Sequence, residues 1–144
     1  MLKKVMFLSL AMIAAGSVLL AQQGQKVTSH NGACQVTVPA GWTVSGTFGI
    51  ADSADKKVNV AVSSPPNTPS LETIKENAGL IYSNDKVTRS TPSEFQMEGR
   101  SMNNKPNVYR GIQLSGKVCI VEVTYESGTA ADARQIAESL KAAK

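Results

Sequence analysis

The chain has 144 residues, a formal net charge of +4, and 42% hydrophobic, 18% charged and 5% aromatic residues. This length and balance fit one globular domain and argue against a multidomain enzyme, a disordered tail or a coiled coil. Its two cysteines exclude a disulfide-dense mini-protein and a four-cysteine zinc site.

The first 21 residues have the pattern of a secretory signal peptide. Lys3 and Lys4 form a short positive region, Val5–Leu20 is mostly apolar, and Ala21 is a small residue before a polar stretch. The apolar run is short for a membrane anchor, which needs roughly 20 residues, so we expect cleavage. Removal of the two lysines lowers the net charge from +4 to +2, which does not support nucleic-acid binding. We expect residues 22–144 to form a single periplasmic or secreted domain, with no membrane insertion after signal cleavage.

Turn residues divide the first part of this domain into short strands. Asn31-Gly32 is a strong hairpin signal between Val27–His30 and Ala33–Val38. The segment Pro39-Ala40-Gly41-Trp42 ends the second of these strands, because proline cannot donate to a sheet ladder. Further strands are predicted at Thr47–Ala51 and Val58–Ser63, and a proline-rich connector follows them.

The second part alternates between a helix, a run of strands and a last helix. Ser70 is a good N-cap, and apolar residues at helical spacing predict a helix over Leu71–Tyr82. Thr129 and Asp132 form a capping signature for a last helix that runs to the chain end, where Lys141 and Lys144 would favour its dipole. The strands predicted between the helices are Lys86–Ser90, Glu94–Met102, Val108–Leu114 and Val118–Glu126.

These elements predict an α+β fold. Strands joined by tight turns form an antiparallel sheet, and two amphipathic helices must bury their apolar faces against it. We therefore expect an antiparallel β-sheet of about six to seven strands flanked by two amphipathic helices, as an α/β/α sandwich.

Cys34 and Cys119 are the candidate disulfide. Strand alternation directs both side chains toward apolar faces, and disulfides persist outside the cytosol. A bond between them would close a long loop and stabilise the fold by about 2–4 kcal/mol. The alternative is two separate buried thiols that act as small hydrophobic residues. Neither cysteine has a base beside it in the sequence, so a catalytic thiol is not expected.

The order of these elements, with the Pro39-Ala40-Gly41-Trp42 segment after an early strand, resembles the PsbP-like family. The same fold includes the Ran-binding nuclear-import factor of Mog type and periplasmic DcrB-like proteins, which are closest in setting. The resemblance implies a PsbP-like sandwich and a non-enzymatic role, as an accessory subunit, a GTPase binder or an envelope protein. Nothing in the sequence indicates a photosynthetic setting, and an exported chain cannot meet a nuclear GTPase. The resemblance also favours Trp42 as a structural core residue that closes one end of the sandwich.

The sequence contains no recognisable catalytic or metal-binding motif. His30 is the single histidine and lies beside a turn, so we interpret it as an exposed turn residue rather than a base or a zinc ligand. Asp52 and Asp55 flank a turn that lacks the glycine and closing glutamate of a calcium loop. We therefore predict no catalytic, cofactor-binding or metal-binding residues, and no cofactor.

Charged residues of the second half are better explained by pairing than by a site. Arg89, Arg100, Lys105 and Arg110 could form a basic stripe, but Glu94 and Glu98 interleave with them, which favours cross-strand ion pairs. Arg110 shares a strand face with apolar residues, so it needs a buried partner. On the predicted helix, Glu72 and Glu76 lie close to Lys75, which is typical of a solvated face.

The expected function is an exported, non-catalytic binding or accessory module of the cell envelope. We expect a monomer that contacts an unknown envelope protein, and no nucleic acid, through a sheet face or the loops Ser64–Thr68 and Asn103–Asn107. One alternative is a small secreted hydrolase that uses the carboxylates of Glu94 and Glu98. Another is a small-ligand carrier, which would require an enclosed apolar pocket between helix and sheet.

Overall fold

The computed structural model of the chain describes residues 24–67 and 69–144. The predicted signal peptide, residues 1–21, lies outside them. Within the described ranges the chain forms ten strands and two α-helices. The elements are β1 (Gln25–Thr28), β2 (Cys34–Val38), β3 (Thr43–Ser45), β4 (Ile50–Asp52), β5 (Val58–Ser63), α1 (Leu71–Ile81), β6 (Lys86–Thr91), β7 (Glu94–Arg100), β8 (Pro106–Leu114), β9 (Lys117–Tyr125), α2 (Ala130–Glu138) and β10 (Lys141–Ala142).

The strands form two antiparallel sheets. The large sheet has seven strands in the order β3-β4-β5-β9-β8-β7-β6, and the small sheet has the order β1-β2-β10. Helix α1 packs on one face of the large sheet, whereas α2 and the small sheet pack on the other. The α+β sandwich is confirmed, and the large sheet has the predicted size. The separate small sheet was not predicted, because the hairpin signal does not say which sheet a hairpin joins.

Local signals located most elements well. The hairpin at Asn31-Gly32 is confirmed, with Val27 opposite Val36 in the β1–β2 ladder. Ser70 caps α1 as predicted, because its side-chain oxygen accepts a hydrogen bond from the backbone N–H of Thr73 at 3.1 Å.

The segment between β2 and β5 differs from the prediction. Residues 43–45 form β3, which was missed, and the next strand begins at Ile50 instead of Thr47. A turn at residues 46–49 separates the two strands and ends at Gly49, whose φ is +67°. A Cβ there would lie 2.5 Å from the carbonyl oxygen of Val62, so only glycine fits this close approach.

The end of the chain also corrects the prediction. Helix α2 ends at Glu138, and Lys141–Ala142 form β10, which pairs with Gln35 and Cys34 of β2. Neither Lys141 nor Lys144 therefore lies in the last turn of the helix. Among the described residues, no backbone N–H of α2 donates to the Thr129 hydroxyl, so the expected capping hydrogen bond is not formed. The hydroxyl instead donates to the carbonyl oxygen of Glu126 at 2.8 Å.

Two apolar clusters hold the layers together. The main cluster lies between the large sheet and the layer of β1, β2 and α2, and it is rich in buried valines such as Val36, Val60 and Val121. The second lies beneath α1 and includes Phe95 and Tyr109. In the described ranges, no helix has the length and apolar character needed to cross a bilayer.

A disulfide joins Cys34 of β2 to Cys119 of β9, so the predicted pair is formed rather than left as separate thiols. Both residues are fully buried in the main cluster. The bond therefore connects the small sheet to the central strand of the large one. Trp42 is half-buried and packs against the edge of the same cluster, so it supports the core without being enclosed by it.

Candidate functional site: an uncovered sheet face beside helix α1

The arginines and glutamates on the α2 side of the large sheet form ion pairs. Arg110 is only 6% exposed, and it donates to Glu94 Oε2 at 2.7 Å and to Gln96 Oε1 at 3.2 Å. Arg134 of α2 donates to Glu98 Oε1 at 2.7 Å. The predicted need of Arg110 for a partner is confirmed, and so is cross-strand pairing for Glu94, whereas Glu98 pairs with a helix arginine that was not predicted. The two carboxylates of the hydrolase alternative are thus held by separate arginines.

The remaining basic residues of this region do not line an anion groove together. Arg89 lies 3.6 Å from Glu94 and 3.9 Å from Glu138, so it joins the same ion-pair network. Arg100 donates to the carbonyl oxygen of Asn104 at 2.8 Å, which stabilises the turn after β7.

The polar turn residues singled out in the sequence have structural partners. His30 is exposed, and its Nδ1 lies 2.8 Å from the carbonyl oxygen of Thr47. Asp55 accepts hydrogen bonds from the Ser53 hydroxyl at 2.7 Å and the Lys57 N–H at 3.1 Å, which hold the pKa of its carboxyl below the usual value. Within residues 24–67 and 69–144, no cluster of three or more histidine, cysteine or acidic side chains could hold a metal ion.

The two predicted contact loops differ from each other. In Ser64–Thr68, the last residue lies outside the described residues, and Ser64 and Pro66 line a surface cleft of about 280 Å³ beside Phe48. The Phe48 side chain is 66% exposed, and the sequence did not predict this exposure. Asn103–Asn107 is partly wrong as a loop, because Pro106 and Asn107 belong to β8 and Asn107 is fully buried.

A second surface cleft, of about 290 Å³, lies between β2 and α2, where Thr37, Ile136 and Ser139 line it. It is at the small end of the range for ligand pockets, and neither cleft lies between α1 and the large sheet. These clefts therefore do not provide the enclosed apolar pocket between helix and sheet that a small-ligand carrier would require.

On the α1 side, the helix covers only part of the large sheet. Its apolar residues pack over β7, β8 and the first half of β9. The other part of this face is formed by side chains of four strands, and no helix or strand of the described ranges packs on it. We call it the uncovered face; its residues are Thr43 and Ser45 of β3, Ile50 and Asp52 of β4, Asn59 and Ala61 of β5, and Glu122 and Thr124 of β9.

Glu122 lies at the border between the uncovered face and helix α1. In the sheet register it is directly opposite Ala61 on one side and Tyr109 on the other, so all three side chains share a face. The Tyr109 ring packs against that of Tyr82, at a centroid distance of 5.2 Å. Burial raises the pKa values of both tyrosines, and the nearby charge of Glu122 raises them further.

The carboxylate of Glu122 is unusual because it is half-buried and unpaired. Among the described residues it accepts no hydrogen bond and forms no ion pair, whereas Asp52 on the same face accepts from Asn59 Nδ2 at 2.9 Å. Loss of hydration in this position raises the pKa of the Glu122 carboxyl above its usual value. The uncovered face therefore carries two acidic residues, one of them without a partner.

Two buried amides continue this polar region under the end of α1. The side chains of Asn84 and Asn107 are 1% and 0% exposed, and none of their side-chain nitrogen or oxygen atoms has a hydrogen-bond partner among the described residues. Asn107 is opposite Gly99 and Thr124 in the ladder, so it is a diagonal neighbour of Glu122. Asn84 packs on Gly99, where a Cβ would lie 2.7 Å from its Oδ1.

Sequence reasoning did not identify this region. Glu122 looks like an ordinary polar residue in an alternating strand, and Asn107 was assigned to a loop. The signal that was present is the break in apolar character: a glutamate stands between Val121 and Val123 in the most apolar strand of the chain.

We expect Glu122→Gln to increase stability at about pH 7 and to leave it nearly unchanged at about pH 4. The folded-state pKa is raised, so the folded protein binds a proton that the unfolded chain has released. Stability from this group is therefore full below the ordinary value of 4.5 and is lost as the pH rises through the folded pKa. Urea unfolding at both pH values measures the difference. The matched control is Glu126→Gln, an exposed acid just after the same strand, and an equal gain at both pH values would contradict the prediction.

The layers described above form an α+β sandwich, and comparison with solved structures shows that its fold is PsbP-like. Among solved structures, the chain is similar to the solution structure of cyanobacterial PsbP (CyanoP) from Synechocystis sp. PCC 6803, with a TM-score of 0.52. The similarity covers 91% of this chain and 98% of that chain, at 10% sequence identity. No protein-family model and no curated protein sequence matches the chain. The PsbP-like resemblance is thus confirmed for the fold, and a setting like that of periplasmic DcrB-like proteins stays a prediction.

Proposed function

We propose that the protein is an exported, non-catalytic binding or accessory module of the cell envelope, and that it docks a protein partner on the uncovered face. The observation that carries the proposal is the incomplete covering of a seven-stranded sheet. Ile50, an apolar side chain, is 38% exposed there, and Ile81 at the end of α1 is 54% exposed. Antiparallel sheets do tolerate one solvated face lined by polar side chains. This face differs in two respects: it carries the exposed Ile50, and the carboxylate of Glu122 is half-buried without a partner among the described residues.

Export is supported by two independent features. The first 21 residues have the signal-peptide pattern, and the Cys34–Cys119 bond suits a periplasmic or secreted protein, since disulfides persist in oxidising compartments. A non-catalytic role is supported by the pairing of Glu94 and Glu98 with arginines, which neutralises the carboxylates best placed in sequence for acid–base chemistry.

The proposal is tested by photo-crosslinking in the cells that produce the protein. p-Benzoylphenylalanine replaces Ala61, which is exposed in the middle of the uncovered face, and in a matched control it replaces the exposed Ala131 of α2. We expect Ala61 to yield one dominant protein adduct in the envelope fraction and Ala131 to yield none. The mass of the purified chain should also show cleavage after Ala21.

Two results would count against this function. Equal adduct patterns at both positions would mean that the uncovered face is not a specific docking surface. An intact, uncleaved chain in the cytosolic fraction would refute the assignment to the envelope.

A further inference from the structure

The composition of the uncovered face indicates the chemistry of its partner. Its two charged residues, Asp52 and Glu122, are both acidic, and the carboxylate of Glu122 has no cationic partner among the described residues. Lys57, just before β5, forms no ion pair with Asp52 or Glu122 among the described residues; its backbone N–H donates to Asp55 Oδ1 at 3.1 Å. An unpaired carboxylate that is half-buried is costly, and it gains most from a cation that reaches it during binding.

The surroundings of Glu122 fit a long basic side chain. Ala61, directly opposite, is small and exposed, so no long side chain stands beside Glu122 at that position of β5. Tyr82 and Tyr109 form an aromatic wall on the α1 side, and aromatic rings attract lysine and arginine groups as well as their aliphatic stems. Ile50, one residue beyond Ala61 in the same cross-strand row, supplies an apolar contact.

Resting on the proposed function, we propose that the docking partner is a protein surface that inserts a lysine or arginine side chain between Ala61 and the Tyr82–Tyr109 pair, where it forms an ion pair with Glu122. A sheet face that extends over four strands suits a protein better than a free amine, because small ligands bind in concave pockets. The two surface clefts described above are lined by other residues.

The probe for this proposal is a library of short random peptides displayed on phage and selected on the purified protein. We expect the selected peptides to share a lysine or arginine next to apolar residues. Glu122→Gln should weaken their binding by at least about tenfold, whereas Glu126→Gln, with the same change in charge, should weaken it by less than about twofold. Replacing the shared basic residue of the peptide with norleucine should weaken binding to the same extent as Glu122→Gln.

A charge exchange separates pairing from a structural role. Glu122→Lys should abolish binding of the basic peptides. The same variant should bind peptides in which glutamate replaces the shared basic residue. Ala61→Lys places a cation opposite Glu122 within the chain, so it should also weaken binding of the basic peptides.

The outcomes distinguish this inference from the function on which it rests. Two results would overturn the inference and leave the docking face in place. One is that peptides without a basic residue prevent formation of the crosslink at position 61. The other is that the selected peptides bind Glu122→Gln as tightly as they bind the natural protein. A self-association that buries the uncovered face would overturn it as well. Failure of the Ala61 crosslink would instead refute the docking face itself.

Discussion

Replacement of both Cys34 and Cys119 by alanine is expected to lower the free energy of unfolding by about 4 kcal/mol. The bond joins residues separated by 85 positions, and it connects β2 of the small sheet to β9, the middle strand of the large sheet. Closing so long a loop removes many conformations from the unfolded chain, which raises its free energy relative to the fold. Urea unfolding of the oxidised protein and the double variant measures the loss.

The reductant provides the internal control for this prediction. Dithiothreitol should lower the unfolding midpoint of the natural chain to nearly that of the double variant and leave the double variant unchanged. A natural chain whose midpoint does not move after mass spectrometry shows complete reduction would contradict the predicted contribution of the bond.

Glu94→Ala is expected to lower the free energy of unfolding by about 3 kcal/mol. Arg110 of β8 is 6% exposed. Its buried charge is stabilised by hydrogen bonds to Glu94 at 2.7 Å and to Gln96 at 3.2 Å. Removal of the carboxylate leaves a buried guanidinium whose Nε already has no hydrogen-bond partner within residues 24–67 and 69–144. Glu94 itself is about one quarter exposed, which places the expected loss at the low end of the range for buried pairs.

Two further variants test the cause of this loss. In an Arg110→Met background no charge is buried, so Glu94→Ala should cost less than about 1 kcal/mol. Glu98→Ala breaks the pair with Arg134, which is accessible to water on α2, and it should therefore destabilise far less than Glu94→Ala. Equal losses for Glu94→Ala with and without Arg110 would contradict the role of the buried charge.

Local chemistry explains why much of the fold was predictable. The Asn31-Gly32 turn and the Ser70 cap act within a few residues of themselves, so their effect can be seen in the sequence. Alternation along two strands also oriented Cys34 and Cys119 correctly, because side-chain direction in a strand depends only on position. The disulfide followed once the two strands lay in facing sheets.

Elements that depend on distant partners were predicted less well. Lys141–Ala142 form a strand because the free edge of β2 is available to them, although their own sequence continues a helical pattern. Pro106 and Asn107 have turn-forming composition, yet pairing with Arg100 and Gly99 of β7 extends the strand through them. Pro106 is the first residue of its strand, where a missing N–H is tolerated.

The amino-acid sequence by itself determined the α+β class, the first helix, the apolar-face orientation of Cys34 and Cys119 and the need of Arg110 for a partner, since each follows from spacing or from the cost of burying a charge. Only the tertiary structure decided which part of the large sheet helix α1 covers. That placement leaves Glu122 unpaired beside Tyr82 and Tyr109. The physical reason is that burial is a property of the packed layers: alternation assigns a side chain to a face, but the element that packs on that face comes from elsewhere in the chain.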